Sequence, residues 1–537
     1  MERETESMRI LLKNGKIYDG TEGEATSGDI LIQDDRIEKI APSIDAPADR
    51  VIDLNGKSVA PGFIDGHSHN DWYAIKENPL PYFEPFLRQG ITTLVSGNCG
   101  ISTVGFEKDS PHADKVGAGL FGFRGTRGEY GTIKEFFDAV DRRIPCNMLE
   151  LAGHCSARTS VAGYENRPLT PEEEKRMLAI LEKALQEGAA GLSLGMMYVP
   201  GVYTGVEEIR KVAQLCVKYN KPLTVHPRAE SKVSMSYPLL GRAHILRALD
   251  ELVEISKGTN LKLQYSHAIF VGRSSFRYKD EFLKILEEQR RGGVDMMFDI
   301  YNELQGVSVI TVILPDWYQA MSEEEKRKPF TKLKLRVMVA ATSMLLGFGF
   351  EDITIAYIGP GYERYEGKTV HQIAQEEGLS DFDAYIKMCE LSHFHGRVNM
   401  GPYSTEEIIH DFEKNPNCLF ITDAWLEDHG VQNPVLMDCF PRFLRDSLLG
   451  LGDTLPRTIR RMTGATADRF SIPERGYLKE GYFADLTVFD EEKMKNGVPG
   501  QGKAFGIEKV ILNGRMVLDQ DQLDTEALKT AGRAIRV

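Results

Sequence analysis

The residues of this chain that could do chemistry begin with two histidines one residue apart, His67 and His69, in the stretch PGFIDGHSHND. Side chains at positions i and i+2 of an extended strand point to the same side. Both imidazoles can therefore face one point, as two ligands of a metal ion must. Because imidazole also serves as an ordinary hydrogen-bonding group inside proteins, this pair alone leaves a structural role open.

Further ligand-type side chains stand at or just after the ends of short apolar segments that are predicted to be strands. They are Cys99 in SGNCG, His154, His226, His267 and Asp423. Each also has an ordinary structural interpretation, as a small buried thiol, a hydrogen-bonded core imidazole or a helix-capping carboxylate. Each of those interpretations requires a separate coincidence with a strand end, so together the residues favour a single site.

Imidazole and thiolate ligands select a borderline ion such as Zn²⁺ over Mg²⁺ or Ca²⁺. A catalytic zinc ion needs three protein ligands and one open position, and Cys99, His226 and His267 are candidates for that set. The H-x-H pair is a candidate for a second, weaker site. Asp423 is then the natural general base, which takes a proton from the attacking water and passes it to a leaving nitrogen.

These side chains need a fold that brings strand ends together, and the middle of the chain, about 62–470, has such a pattern. Short apolar segments alternate there with amphipathic helices, one of which can be N-capped by Thr170 with Glu173 completing a capping box. Eight such repeats predict an α/β fold, a (β/α)8 barrel whose chemistry lies at the carboxyl ends of its strands. The predicted strands are 62–67, 92–96, 148–152, 191–194, 222–226, 262–267, 294–299 and 418–423.

Both ends of the chain are predicted to form short strands joined by tight turns. Two β segments at opposite ends of a chain most simply pair with each other. We therefore expect a small β-sandwich domain from 1–61 and 471–537, flanking a catalytic barrel domain of 62–470. Asn-Gly pairs are strong hairpin signals, and the predicted turns are Asn14-Gly15, Asn55-Gly56 and Asn513-Gly514.

Two stretches do not fit the barrel pattern. Residues 117–131 are rich in glycine and are predicted to form a long loop over the barrel mouth. Residues at about 304–365 are predicted to form an inserted helical subdomain. We interpret the charged run SEEEKRKPFTKLK in that insertion as a solvated face.

The composition limits the class of protein. The chain has 537 residues, 42% of them hydrophobic and 27% charged, and a net charge of −14, which disfavours nucleic acid or an anionic membrane as a partner. The N-terminal residues lack the pattern of a signal peptide, and no run of about 18 apolar residues exists. Seven scattered cysteines without C-x-x-C fit a reducing compartment. We expect a cytoplasmic enzyme with a small-molecule substrate; the oligomeric state stays open.

The whole chain resembles the amidohydrolase superfamily, and within it the N-acyl-D-amino-acid deacylase (D-aminoacylase) family. GNCG is the most discriminating motif, because that family is known for a strand-two cysteine where many superfamily members use a strand-four lysine, which GLSLGMMY lacks. The matching motifs are PGFIDGHSHND, GNCG, AGHCSAR, GLSLGMMYVPG, HPRAES, YSHAIFVG, DIYNE, ITDAW, FPRFL, MTGATADRF and RGYLKEGYFADLTVFD.

The resemblance implies the same zinc ligands, second metal site and general base that the strand ends suggest. It also implies hydrolysis of a linear amide bond of a small molecule. His154, Arg158 and Tyr198 lie within or beside its motifs and are further candidates for contacts with the substrate.

The chain departs from this family at positions that hold the substrate's free carboxylate. Family members use a lysine two residues after the strand-six histidine and an arginine in an HPR motif, and these positions are Ile269 and Val435 here. The family's tyrosine matches Tyr301, and its serine falls on Val307 or, with a one-residue slip, Ser308. A buried carboxylate without a paired cation costs several kcal/mol. We therefore expect a substrate without a free carboxylate at this point.

Other readings stay open at this level. Arg228 or Arg158 could supply the missing cation from elsewhere. Cyclic amide hydrolysis of the dihydroorotase or hydantoinase type is the alternative activity, against which the absent strand-four lysine counts. A non-catalytic metal-binding scaffold is a third reading, although both the ligand set and the base are present.

Overall fold

The computed structural model describes residues 8–117, 130–234, 236–238, 240–319 and 321–537. Its centre is an eight-stranded parallel sheet in which the strands pair in chain order. A bridge between Ser68 and Ala424 connects the first strand to the last and nearly closes the ring. The predicted barrel is therefore confirmed. Its strands are Phe63–Asp65, Ile91–Ser96, Asn147–Gly153, Gly191–Gly195, Pro222–His226, Lys262–Tyr265, Met296–Ile300 and Cys418–Phe420.

The helices around the barrel form because apolar residues recur at helical spacing and face its strands, and those of the insertion face a core of their own. The helix Pro171–Gln186 begins with the predicted capping box of Thr170 and Glu173, and it buries Met177, Leu181 and Leu185. The described helices are Asp71–Ala74, Leu80–Arg88, Ile133–Val140, His154–Ala162, Pro171–Gln186, Val206–Tyr219, His244–Ser256, Lys279–Arg291, Asp316–Gln319, Glu323–Lys326, Pro329–Leu346, Val370–Glu377, Asp381–Leu391, Glu406–Glu413, Val435–Leu448, Leu455–Arg461, Gly464–Phe470, Glu491–Lys495 and Thr525–Ala531.

The two ends of the chain pair into one nine-stranded sheet, as predicted; the sandwich arrangement of this domain stays a prediction. Ser58–Pro61 pairs antiparallel with Leu486–Phe489 and so joins the N-terminal strands to the C-terminal ones. Inward side chains of both halves share one apolar cluster. The boundaries of the predicted domains, at 61 and 471, stay a proposal. The strands are Arg9–Ile17, Thr26–Gln33, Arg36–Ala41, Arg50–Asp53, Ser58–Pro61, Leu486–Phe489, Ile507–Leu512, Arg515–Asp519 and Gln522–Leu523.

The Asn-Gly turns are only partly as predicted. Asn513-Gly514 joins two antiparallel strands in a hairpin. The prediction for Asn14-Gly15 is wrong, because the pair lies at a register shift inside the single strand Arg9–Ile17. Asn55-Gly56 does form a turn, but the strands on either side both pair parallel with Arg9–Ile17 rather than with each other. All three asparagines have the positive φ that an Asn-Gly turn favours. Whether the bend becomes a hairpin depends on which strands pair over longer distances along the chain.

An insertion separates the seventh and eighth barrel strands. It contains a three-stranded antiparallel sheet of Gly306–Val309, Ile353–Tyr357 and Arg397–Met400, together with the helix Pro329–Leu346. The third strand lies beyond the predicted end at about 365, since a four-residue strand with polar residues gives little local signal.

Two other sequence predictions bear on this part of the chain. Most of the predicted glycine-rich loop, 118–129, lies outside the described residues. Of the described helices, none is long and apolar enough to cross a bilayer.

Candidate functional site

Three of the predicted ligands meet where the second, fifth and sixth barrel strands end. The Cys99 sulfur lies 3.6 Å from Nδ1 of His226 and 3.5 Å from Nε2 of His267. All three side chains are buried. One donor atom from each lies within 4.8 Å of the other two, which is an arrangement that could hold a metal ion.

A second group adjoins the first and shares its cysteine. It contains His67, His69, Cys99 and Asp423, again with donor atoms within 4.8 Å of one another. Asp423 Oδ1 lies 3.2 Å from Nε2 of His67 and 3.4 Å from Nε2 of His69. The sulfur of Cys99 is 3.4 Å from Nε2 of His67. The thiol therefore lies between two possible cation positions.

The backbone at three of these residues is in the left-handed region. The φ values are +54° for Cys99, +34° for His267 and +50° for Asp423, and each residue comes two or three positions after its strand ends. L-residues with side chains rarely adopt this conformation, which costs free energy and is found at functional sites. The predicted strands at 262–267 and 418–423 run too long for this reason: the chain bends before the ligand.

Buried carboxylates fix this bent backbone through hydrogen bonds. The amide of His267 donates to Asp299 Oδ1 at 2.7 Å. Asp65 accepts from the amides of His67 and Thr422, each at 3.1 Å. The same two acids therefore connect the first, sixth, seventh and eighth strand ends, which keeps the ligands in register.

Glu230 orients the imidazoles of the first group. Its Oε1 lies 2.8 Å from Nδ1 of His267, and its Oε2 lies 3.6 Å from Nε2 of His226. In each case the other ring nitrogen faces Cys99. A carboxylate behind a ligating histidine sets the ring orientation and strengthens the donor. Sequence reasoning missed Glu230, although it stands four residues after His226 in the quoted HPRAES motif.

The electrostatics of the cluster favour a bound cation. Burial alone would lower the pKa of His67, but Cys99 and Asp423 outweigh burial and raise it to about 10. Burial raises the pKa of the Cys99 thiol, yet the surrounding imidazoles hold it well below its usual value. Burial also opposes ionisation of Asp423, and His267 and His67 overcome it and lower its pKa. A thiolate, a carboxylate and imidazole nitrogens facing one space are a donor set for a borderline divalent ion.

The structure does not bring His154 and Arg158 into this cluster. His154 Nε2 lies 2.8 Å from Glu208 Oε1, and Arg158 Nε donates to the same oxygen at 3.2 Å. Both are buried, and together they form a structural ion-pair network. Arg228 is likewise engaged, because its guanidinium donates to both carboxylate oxygens of Glu251 at 3.1 Å. Arg158 and Arg228 are thus each paired with a carboxylate of the protein itself.

The two positions that the family resemblance marks for a substrate carboxylate, Ile269 and Val435, lie in apolar surroundings. Val435 is 1% exposed in the barrel core and opens the helix Val435–Leu448. Ile269 packs between the barrel core and the core of the insertion. Tyr301 is buried, and burial first and Asp423 second raise its pKa above the usual value. Tyr198 packs against one of the ligands, with its ring centroid 4.6 Å from that of His226.

A cavity of about 260 Å³ adjoins the cluster on the side of the insertion. Trp425 forms part of its wall and packs edge-on against His69, with ring centroids 5.2 Å apart. Val307 and Ser308, the two candidates for the family's serine, both line it. The lining residues are Val307, Ser308, Val309, Tyr357, His395, Gly396, Arg397, Trp425, Glu427, Asp428 and His429.

Three charged side chains of this cavity wall, those of Arg397, Glu427 and Asp428, are each paired with an opposite charge. Arg397 Nη1 lies 3.0 Å from Glu427 Oε1, and Asp428 lies 2.9 Å from Lys76. Trp425 also donates from its indole to Glu427 at 2.5 Å. The cavity is thus aromatic and apolar next to the ligands, with internally compensated charge further out.

Comparison with known proteins agrees with this geometry. The model of the amidohydrolase family matches residues 50–300. A D-aminoacylase of Alcaligenes xylosoxydans xylosoxydans is 28% identical over 95% of this chain and 94% of its own length. An uncharacterized protein of Mycobacterium bovis is 30% identical over 93% of this chain and 87% of its own length.

Two solved structures represent the two activities considered from the sequence, hydrolysis of linear and of cyclic amides, and they differ in their similarity to this chain. A D-aminoacylase structure determined to study its binuclear metal centre has a TM-score of 0.78 at 26% identity, covering 99% of this chain and all of its own. An L-hydantoinase from Arthrobacter aurescens is more distant, with a TM-score of 0.57 at 14% identity, covering 99% of this chain and all of its own. The chain belongs to the amidohydrolase family, in its D-aminoacylase branch.

Proposed function

We propose that this chain is a zinc-dependent hydrolase of linear amide bonds, of the N-acyl-D-amino-acid deacylase class. The observation that carries the proposal is the meeting of Cys99, His226 and His267 around one point with Asp423 beside them. Nitrogen and thiolate donors of this kind fit Zn²⁺ better than Mg²⁺ or Ca²⁺. Family membership supports the same reaction class.

We assign the tighter zinc to Cys99, His226 and His267, and a second, weaker position to His67 and His69. Zinc bound at the first position supplies a Lewis acid for the amide carbonyl. The protein's part is to hold these donors in place. Glu230 fixes His267 from behind at 2.8 Å, and Asp299 fixes the His267 backbone at 2.7 Å.

Asp423 is the proposed general base. Its lowered pKa keeps the carboxylate ionised near neutral pH, so it can accept a proton. It takes that proton from the attacking water and delivers it to the nitrogen that leaves. The histidines that lie 3.2 and 3.4 Å from its Oδ1 hold the carboxylate at the cluster.

We further propose that the preferred substrate has no free carboxylate next to the scissile amide. Ile269 and Val435 stand where a cation would be needed, and Arg158 and Arg228 are each bound to a carboxylate of the protein. Leaving a substrate carboxylate buried without a cation costs several kcal/mol. A neutral or aromatic amide relative fits the apolar and aromatic surroundings of Trp425 better.

An assay with paired substrates tests both parts. Purified protein is stripped with a chelator, reloaded with zinc, and given N-acyl-D-amino acids and their carboxamides side by side. We expect activity that disappears on chelation, returns with zinc, and is higher on the carboxamides. Higher activity on the free acids would contradict the substrate proposal alone. No metal-dependent hydrolysis of either set, with zinc bound, would contradict the reaction itself.

The cellular setting is part of the proposal. All seven cysteines are free and buried, which fits a reducing compartment, and we place the enzyme in the cytoplasm. Its partner there is a small-molecule amide. The net charge of −14 gives no support for nucleic acid as a ligand.

A further inference from the structure

One helix of the insertion, Pro329–Leu346, exposes a stripe of large apolar side chains. Phe330 is 78% exposed, Leu333 59%, Val337 61% and Met344 79%. Their spacing of three, four and seven residues puts them on one face of the helix. Five of the fifteen exposed large apolar residues in the described part of the chain belong to this helix, Leu345 being the fifth.

The opposite face of the same helix is already used. Thr331, Leu335 and Val339 are buried on that side, and the latter two belong to the core of the insertion. The exposed stripe is therefore additional to what the fold of the insertion needs. Contiguous exposed apolar patches on soluble proteins mark interaction surfaces.

We propose that a second copy of this chain covers the stripe, with the two helices antiparallel about a twofold axis at Val337. The distribution of bulk supports this choice. Large side chains, Phe330 and Leu333, occupy the first half of the stripe, and Ala340 and Ala341 occupy the second half before Met344. Antiparallel pairing sets Leu333 against Ala341 of the partner subunit and Phe330 against Met344 of the partner subunit. Parallel pairing would instead oppose the two Phe330 side chains and leave the alanines facing each other.

Charge supports the same arrangement. The last carbonyl groups of a helix carry partial negative charge, and this helix ends at Leu346 with a left-handed glycine cap. In the antiparallel pair, the partially positive start of each helix lies beside the partially negative last turn of its partner. Each helix end thereby faces the opposite partial charge of its partner.

A membrane surface is a less suitable occupant for this face. Two of the basic residues on the helix are compensated by acids of the neighbouring helix Asp381–Leu391: Arg336 lies 2.6 Å from Asp383, and Lys332 lies 3.7 Å from Glu390. The net charge of the chain, −14, also opposes an anionic bilayer. A self-complementary surface can be covered by a second copy of this chain, without an anionic lipid or a different protein.

The size of the surface predicts a weak dimer. An 18-residue helix is about 27 Å long, and one helix pair buries less than the roughly 800 Å² per partner of a standard interface. We therefore expect a dissociation constant in the micromolar range. The dimer should then be detectable in solution at micromolar protein concentrations.

Analytical ultracentrifugation of the full chain over about 1–100 µM tests the proposal. We expect a concentration-dependent dimer that Val337→Asp converts to a monomer, with the dissociation constant raised about tenfold or more. Val498→Asp is the matched control, since Val498 is 57% exposed and lies in the C-terminal part of the chain, and it should leave the dimer unchanged. A wild-type monomer at 100 µM, or a dimer that Val337→Asp leaves intact, would overturn the proposal.

Crosslinking fixes the orientation of the two helices. All seven native cysteines are buried, so Val337→Cys introduces an accessible thiol at the proposed axis. We expect mild oxidation to give a covalent dimer with Val337→Cys and with an equimolar mixture of Phe330→Cys and Met344→Cys proteins. Efficient crosslinking of Phe330→Cys to itself would show parallel pairing and contradict the proposal. Flotation of a monomeric wild type with anionic vesicles, lost in Val337→Asp, would assign the stripe to a membrane instead.

Discussion

In the cluster at the barrel mouth, the Cys99 thiol and Asp423 face imidazoles that lower the pKa of both groups against the effect of burial. Arg158 and Arg228 differ from these two groups, because each arginine lies against a carboxylate of the protein itself. One region keeps its charges available for a ligand, and the other neutralises them internally. We interpret this difference as support for the proposal that the groups for amide cleavage are present without a cation for an anionic substrate.

Of the variants considered, removal of the shared thiolate should have the largest effect on the metal cluster. We expect Cys99→Ala to weaken zinc binding by more than ~100-fold, beyond the range of a change outside the metal's ligands, and to abolish activity at ordinary zinc concentrations. Metal analysis of the purified protein measures the loss. Cys155→Ala is the control, because burial raises the pKa of that neighbouring thiol to about 12 and keeps it protonated. Full zinc content in Cys99→Ala would refute the assigned tight site.

Asp423→Asn tests the base without removing the metal. We expect kcat to fall by ~10²–10⁴, the range of a positioned general base, with the tight zinc retained. Asp519→Asn in the terminal sheet is the control, since that carboxylate pairs with Arg50 at 2.9 Å, outside the cluster and the cavity, and should leave kcat nearly unchanged. Retained activity in Asp423→Asn would mean that another group moves the proton.

Glu230→Gln sharpens the boundary between ligands and the residues that position them. We expect zinc affinity to drop by ~10–100-fold and kcat to recover when zinc is saturating. The matched variant is Glu208→Gln, which alters an equally short carboxylate–histidine pair, 2.8 Å from His154, outside the cluster. Equal effects of both variants on zinc affinity would indicate a general structural role for Glu230.

Ile269→Lys tests the proposed absence of a cation for the substrate carboxylate, and of these variants it should have the smallest effect. A cation restored at this position adds one charge-assisted hydrogen bond to a free substrate carboxylate, which is about a tenfold gain. We expect the ratio of activity on free acids to activity on carboxamides to rise by about that factor. Ile269→Met, which adds no charge, should leave the ratio as it is. An unchanged ratio in both variants would place the substrate's carboxyl end elsewhere.

The sequence predicted the cluster well because barrel topology does most of the positioning. The carboxyl ends of parallel barrel strands all lie at one face of the barrel. The position of a residue at a strand end in the sequence therefore largely predicts where it lies in the fold. Cys99, His226 and His267 have different neighbours along the chain and still meet. Their roles as ligands stay a prediction that the experiments above test.

What the sequence missed depends on contacts without local periodicity. Glu230 reaches the cluster from an irregular segment after the fifth strand, so no helix or strand pattern aims it. The register shift at Asn14-Gly15 and the third strand of the insertion, Arg397–Met400, likewise depend on partners distant along the chain. Arg158 and Arg228 looked available because the acids that occupy them are about 50 and 23 residues away.

The pairing of Ser58–Pro61 with Leu486–Phe489 also orders events during synthesis. The last barrel strand ends at Phe420, so the ribosome can release a complete set of barrel strands while the terminal sheet still lacks its C-terminal half. Until the final fifty or so residues emerge, beginning with Leu486–Phe489, the edge of Ser58–Pro61 is an open template for other chains. A nascent chain stalled before Leu486 would accordingly need protection by a chaperone, and the completed one would not.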